Sequence, residues 1–111
     1  MTNPNFMNGV PELLILRLLE GREMYGYELV QAIRAKTSDE ISLGEGVVYP
    51  VLHALEREHA LKSRRKEVNG RTRVYYAVTA KGGKRRAALV EQWNRIVGAV
   101  TLAIAETSHV G

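Results

Sequence analysis

The dipeptide Asn69-Gly70 constrains the fold more than any other feature, because it lies between two runs of residues typical of extended chain. Asn-Gly favours the two-residue type I′ turn that joins antiparallel strands. That turn would pair Val68 with Arg71 and Arg64 with Tyr75. The two runs are therefore predicted to form a β-hairpin of fixed register.

This register sorts the hairpin side chains onto two faces of different polarity, because successive residues of a strand point to opposite sides. The face predicted to pack on the rest of the protein consists of Leu61, Ser63, Val74, Tyr76 and Val78. The other face carries Tyr75 and five cations, which are Lys62, Arg64, Lys66, Arg71 and Arg73. A slip of one residue in either strand would mix the two sets.

Positive charge is concentrated around this hairpin. Residues 57–86 contain eleven Lys or Arg and two acids, so their net charge is +9, whereas the rest of the chain has a net charge of −5. A basic segment of this kind is the electrostatic signature of a polyanion partner, although a solvated basic face would have the same composition. The chain contains no cysteine, which excludes disulfides and cysteine zinc sites.

The stretch from Gly46 to Glu58 is predicted to form a helix with two distinct faces. Its apolar residues recur at helical spacing and would be buried, and they are Val48, Val51, Leu52 and Leu55. Tyr49 and His53 are four residues apart and share another side. Pro50 falls near the start, where a missing N–H costs little. The outward face carries few charges, which suits contact with base edges in a DNA groove.

Two helices are predicted before this one. The first is expected to begin near Pro11 and to be apolar on most sides, and the second has a buried stripe containing Leu29 and Ile33. The alternating residues Ile41-Ser42-Leu43 are expected to form a very short strand.

A long final helix is predicted from about residue 80 to about residue 107, with Thr79 as its N-cap. Its apolar residues follow a heptad-like spacing and form a stripe wider than one small domain needs to cover. At about 1.5 Å per residue the helix is about 40 Å long, so we expect it to pair with the same helix of a second subunit. Packing back onto its own core is the alternative. The predicted dimer interface comprises Leu89, Trp93, Ile96, Val97, Val100 and Ile104.

The predicted fold is therefore mainly α with a small β-ribbon. The element order is that of a winged helix-turn-helix domain over residues 1–79, followed by a C-terminal dimerisation helix and tail over residues 80–111. The Tyr49 helix would be the recognition helix and the hairpin would be the wing. No apolar run is long enough to cross a membrane, and no signal peptide is recognisable, so a cytoplasmic protein is expected.

Three segments of the chain match a known family. The first runs from Leu13 to Leu29, the second is Val48-Tyr49-Pro50-Val51-Leu52 with Leu55-Glu56-Arg57-Glu58, and the third is Gly70-Arg71-Thr72-Arg73-Val74-Tyr75-Tyr76 leading to Gly82. With Trp93 in the last helix, this pattern resembles the short subfamily of PadR transcriptional regulators. The family often has Gly-Thr-Leu-Tyr where this chain has Gly46-Val47-Val48-Tyr49, and Gly-Leu where it has His59-Ala60. Val47 lacks the hydroxyl that could touch a phosphate, whereas histidine tolerates a left-handed cap.

The resemblance implies a dimeric repressor that binds double-stranded DNA at a pseudo-palindromic operator. The predicted DNA contacts are Tyr49, His53, Lys62, Arg64, Lys66, Arg71 and Arg73. Tyr49 could instead be a half-buried packing residue, and His53 an ordinary surface residue. Trp93 is predicted to lie in the dimer interface or to line a pocket for a small aromatic or hydrophobic effector, as in some members of the resembled family.

Two other function classes fit the sequence less well. A winged-helix module that binds protein without DNA specificity is the alternative, and the cationic hairpin argues against it. An enzyme is not expected, because no nucleophile motif or phosphate-binding loop is present. The three histidines do not have the spacing of metal ligands, so neither a metal nor a cofactor is predicted.

Overall fold

The computed structural model describes residues 6–106, with side chains described from residue 9 to residue 105. Within that range the chain forms four helices and three strands. They are α1 (Phe6–Leu18), β1 (Met24–Tyr25), α2 (Gly26–Lys36), α3 (Glu45–Arg57), β2 (Leu61–Val68), β3 (Arg71–Val78) and α4 (Ala80–Glu106). This is the predicted mainly helical fold with a small sheet.

The hairpin has the predicted register. Val68 pairs with Arg71 and Arg64 pairs with Tyr75 in the antiparallel β2–β3 ladder. Asn69 and Gly70 both adopt positive φ, 54° and 78°, as a type I′ turn requires. The turn chemistry and the alternation of side chains therefore specified the same pairing.

The sheet has a third strand, which the sequence pattern did not predict. Ile41-Ser42-Leu43 is not a strand, whereas Met24–Tyr25 pairs with β3 to give the order β1-β3-β2. The alternation at 41–43 has a different cause, because Ile41 and Leu43 are half-buried and pack against the core from a loop. The Thr37 hydroxyl accepts a hydrogen bond from the Ile41 N–H (3.1 Å) and stabilises that loop.

The first helix also differs from its predicted start. It begins at Phe6, and Pro11 lies inside it rather than at its first turn. The fixed φ of proline is compatible with a helix, and its missing N–H removes one backbone hydrogen bond close to the N-terminal end. Pro11 therefore does not stop a helix whose later turns are buried.

The core lies where the first three helices meet the sheet. Its largest fully buried side chains are Ile15, Leu16, Leu29, Ile33, Val48, Leu52 and Leu55. Ala60, Leu61 and Tyr76 extend this cluster onto the hairpin, so the wing is anchored at its base. The helix-turn-helix pair α2 and α3 is thus held by both α1 and the sheet.

The beginning of α4 is built on the end of α3. His59 adopts a left-handed conformation (φ 65°), and its carbonyl accepts a hydrogen bond from the Thr79 hydroxyl (2.6 Å). The same hydroxyl accepts a bond from the Gly82 N–H (3.1 Å), which confirms Thr79 as the N-cap. A Cβ at Gly82 would lie 2.0 Å from the Ala60 carbonyl oxygen, so only glycine allows this close crossing.

The last helix makes the molecule elongated. The described chain extends over 66 × 28 × 23 Å, with a radius of gyration of 16.5 Å. A compact domain of this length would have a radius of about 13 Å. Residues 97–105 of α4 are all exposed. The C-terminal part of α4 therefore projects from the helix-turn-helix body.

Candidate nucleic-acid interface

Helix α3 has one buried and one exposed side. Val48, Leu52 and Leu55 are fully or almost fully buried. The exposed side is formed by residues three or four apart, which are Val47, Pro50, His53 and Arg57. The exposed side is the part of α3 that could enter a DNA groove.

Tyr49 lies between these two sides and turns toward α2. It is half-buried, and a Cβ at Gly26 would lie only 2.4 Å from its ring Cζ. The ring centroid lies 6.2 Å from that of exposed His53. The packing interpretation of Tyr49 fits this placement, and base contacts by Tyr49 and His53 stay predictions.

A single carboxylate binds two of the five cations predicted on the wing. Glu23, immediately before β1, accepts hydrogen bonds from Arg64 (Nη2, 2.7 Å) and from Lys66 (Nζ, 2.9 Å). These bonds lower the pKa of Glu23 from 4.5 to about 2 and raise the pKa of Arg64. Sequence reasoning missed Glu23, because its partners lie more than forty residues away and no local periodicity connects them.

Aromatic rings hold two wing cations on the same face. The rings of Tyr25 and Tyr75 meet edge to face at 5.4 Å, and Tyr75 is buried. The ammonium group of Lys66 lies 4.3 Å from the Tyr75 ring centroid, and the guanidinium carbon of Arg73 lies 4.3 Å from that of Tyr25. Cation–π attraction therefore orients Lys66 and Arg73 against the sheet.

The remaining wing cations face solvent. Lys62 and Arg71 are exposed and form no salt bridge with any residue between 9 and 105. Arg65 is also exposed, on the opposite face where it pairs with Val74. At the base of the wing, the Ser63 hydroxyl donates to the Glu56 carboxylate of α3. The hairpin and α3 are thereby connected.

Two further cations of the basic segment have structural partners. Arg85 of α4 donates to Glu12 of α1 (Nη2–Oε1, 3.1 Å) and to Glu58 at the end of α3. Arg86 lies 3.5 Å from Glu20. Part of the +9 charge of residues 57–86 is therefore used inside the fold and is not available to a polyanion.

The apolar stripe on α4 is exposed along its outer half. Trp93 is 36% exposed, Val97 39%, Val100 49% and Ile104 67%. Leu89 and Ile96, also predicted for the dimer interface, are half-buried and line a groove between α1 and α4 together with Trp93. The cavity in this groove is about 30 Å³, whereas ligand pockets are typically about 300 Å³ or more. The effector pocket at Trp93 stays a prediction.

No helix within residues 6–106 combines the length and the apolar character needed to cross a lipid bilayer.

Comparisons with known proteins all point to one family. Residues 15–88 match the model of the transcriptional regulator PadR-like family. The chain is 32% identical over 87 residues to the transcriptional regulator YqjI of Escherichia coli, covering 78% of this chain and 35% of YqjI, so it spans about a third of that relative.

Solved structures agree with this assignment. A transcriptional regulator from Clostridium thermocellum has a TM-score of 0.80 and 28% identity, covering 91% of this chain and 96% of its own. A PadR family transcription regulator from Clostridium difficile has a TM-score of 0.73 and 28% identity, covering 86% and 99%. Because members of this family are regulators, the prediction that the chain is not an enzyme is confirmed. The chain belongs to the PadR-like family of transcriptional regulators, as its sequence motifs predicted.

Proposed function

We propose that this protein binds a pseudo-palindromic DNA operator as a homodimer and represses transcription. The observation that carries the proposal is the exposed side of α3, which has no covering element among the described residues and stands beside a cationic hairpin. In helix-turn-helix proteins the second helix of the motif reads the major groove while flanking elements hold the backbone. Binding over a promoter would exclude the transcription machinery.

The structure suggests different roles for the side chains of the wing that are predicted to contact DNA. Lys62 and Arg71 are exposed and can neutralise phosphates directly. Arg64 and Lys66 share the Glu23 carboxylate, so their first role is to attach the wing to β1. Arg73 stacks on Tyr25 and keeps its remaining N–H groups for DNA. Phosphate contacts of this kind set affinity and register more than sequence preference.

A second copy of the chain is the proposed partner for α4. Trp93, Val97, Val100 and Ile104 are spaced by four, three and four residues and are all at least a third exposed. This spacing is that of a helix–helix seam. Pairing two copies would bury these side chains and fix the distance between the two α3 helices. Half-sites one helical turn apart, about 34 Å, or a multiple of that would match such a dimer.

A small aromatic or hydrophobic effector at Trp93 would need both subunits. The cavity beside Trp93 within one chain is about 30 Å³ and is too small for a ring. Two Trp93 side chains related by a dyad could enclose a flat molecule between them. For such an effector to release DNA, it must bind with different affinity to two states of the dimer that differ in the distance between the two DNA-binding domains.

A fluorescence-anisotropy titration tests the proposal. The purified protein would be added to duplex DNA from upstream of its coding region and to a shuffled duplex, at several salt concentrations. We expect tighter binding to the native duplex and a logarithmic affinity that falls linearly with the logarithm of the salt concentration. In vitro transcription from the same promoter should then decrease as protein is added.

The Arg71→Ala variant serves as an internal check, because Arg71 is exposed at the wing turn. It should weaken binding to every duplex and lower the salt slope by about 0.9. An absence of binding to either duplex at low salt would refute the proposal and favour a module that binds protein. Increased transcription would refute repression but would leave the proposed DNA binding intact.

A further inference from the structure

The N-terminal half of the recognition helix exposes an apolar surface. Val47 is 42% exposed, and Pro50, one turn later, is exposed beside it. The neighbouring exposed residues are Gly46, which has no side chain, and Glu45, whose carboxylate repels phosphates. No side-chain hydrogen-bond donor therefore projects from positions 45–47 or 50 of α3.

Val47 is an exposed, branched apolar side chain in this half of the helix. Its neighbour Val48 is fully buried, and Tyr49 turns toward Gly26. A Cβ at Gly44 or Gly46 would meet no atom of another element within 4 Å, so no other described element covers the start of α3 at these two positions. With 42% of its surface exposed, Val47 leaves part of its isopropyl group accessible to a base pair.

The N-terminal residues of a recognition helix are those that contact base edges in the major groove. An apolar side chain at that place cannot read a hydrogen-bonding group, but it can pack on the 5-methyl group of thymine, which projects into the same groove. From this placement we infer that Val47 is a specificity-determining residue that recognises a thymine methyl group in each operator half-site. The inference rests on the proposed DNA-binding function.

The rest of the exposed side complements this apolar contact. His53 and Arg57 lie two and three turns further along α3 and can make hydrogen bonds to bases or phosphates. The helix would therefore read its half-site by methyl contact at one end and by polar contact at the other. Val47 carries two methyl groups and no hydroxyl, which suits this role.

Replacement of thymine by uracil isolates the methyl group, because the two bases have the same hydrogen-bonding edges. Each thymine of the tightest-binding duplex would be replaced in turn by deoxyuridine, symmetrically in both half-sites, and binding measured by anisotropy. We expect one symmetric pair of positions to lose about fourfold in affinity per half-site, the value of one buried methyl group. The Val47→Ala variant should bind the thymine and uracil duplexes almost equally at that position.

The His53→Ala variant is the matched control, because it shortens another exposed side chain of the same helix. It should retain the full fourfold loss on deoxyuridine substitution even if its overall affinity falls. A wild-type protein insensitive to every thymine replacement would overturn the inference and leave the DNA-binding function intact. An equal loss in wild-type and Val47→Ala proteins would overturn it too. Failure of the wild-type protein to bind any duplex would overturn both this inference and the proposed DNA-binding function.

Discussion

Replacement of Glu23 by glutamine should strengthen DNA binding and make it more sensitive to salt. In the wild-type protein one carboxylate binds both Arg64 and Lys66, at 2.7 and 2.9 Å. Glutamine keeps the shape of the side chain but removes its charge. Two wing cations then become available to phosphates without any change in the number of basic residues.

The magnitude follows from counterion release. Each additional phosphate contact steepens the dependence of log affinity on log salt concentration by about 0.9, so two contacts steepen it by about 1.8. The affinity gain of the variant should therefore shrink about twelvefold between about 50 and about 200 mM salt. The gain should be the same for native and shuffled duplexes, because phosphate contacts carry no sequence information.

The matched control is Glu67→Gln, which removes the same charge from a residue of β2, the strand that carries Arg64 and Lys66. Glu67 is exposed and has no salt bridge to residues 9–105, so its replacement releases no cation. Anisotropy titrations of both variants over a salt series would compare the slopes. Equal slopes for the two variants would show that net charge alone matters. Weaker binding by Glu23→Gln at every salt concentration would refute the reasoning, because Glu23 would then be positioning the cations for DNA.

Three other predictions concern the fold and the proposed dimer. Because the pKa of Glu23 is lowered from 4.5 to about 2, its contribution to stability should be complete above pH 4.5 and be lost as the pH falls toward 2. The difference in the urea unfolding free energy between the wild-type protein and Glu23→Gln, followed against pH, measures this contribution, because the other carboxylates titrate in both proteins. Val100→Asp should weaken dimerisation by about 3 kcal/mol or more, because it buries an unpaired charge, whereas Asn94→Asp, which lies off the apolar stripe of α4, should not. Sedimentation measurements would compare the dissociation of the two variants. Gly26→Ala should destabilise the fold by about 1–3 kcal/mol in urea, and a Tyr49→Ala background should remove most of that cost; additive effects would contradict the packing of Tyr49 on Gly26.

The elements with strong local signals were predictable from sequence. Asn69-Gly70 defined both the turn and the register of the hairpin, and Thr79 marked the start of α4. The buried side of α3 followed from helical spacing. In each case neighbouring residues carried the whole signal, so tertiary contacts were not needed to interpret it.

Features that depend on distant residues were not predictable. Strand β1 has only two residues, and it exists because Met24 and Tyr25 meet Tyr76 and Tyr75 of β3. Neither alternation nor composition can reveal so short a strand. The role of Glu23 follows from that pairing, since β1 places its carboxylate beside the wing cations. The orientation of Tyr49 likewise depends on the absence of a side chain at Gly26.

The contact between Gly82 and the Ala60 carbonyl has a consequence for target choice. It fixes the angle at which α4 leaves the body of the protein, because any Cβ at position 82 would lie 2.0 Å from that oxygen. In a two-fold dimer joined through α4, a change in this angle would occur twice, once in each subunit. The distance between the two DNA-binding domains would then be adjusted by a single backbone position that lies outside the proposed DNA and dimer contacts. Operator spacing could thus diverge between relatives whose base-reading residues are the same.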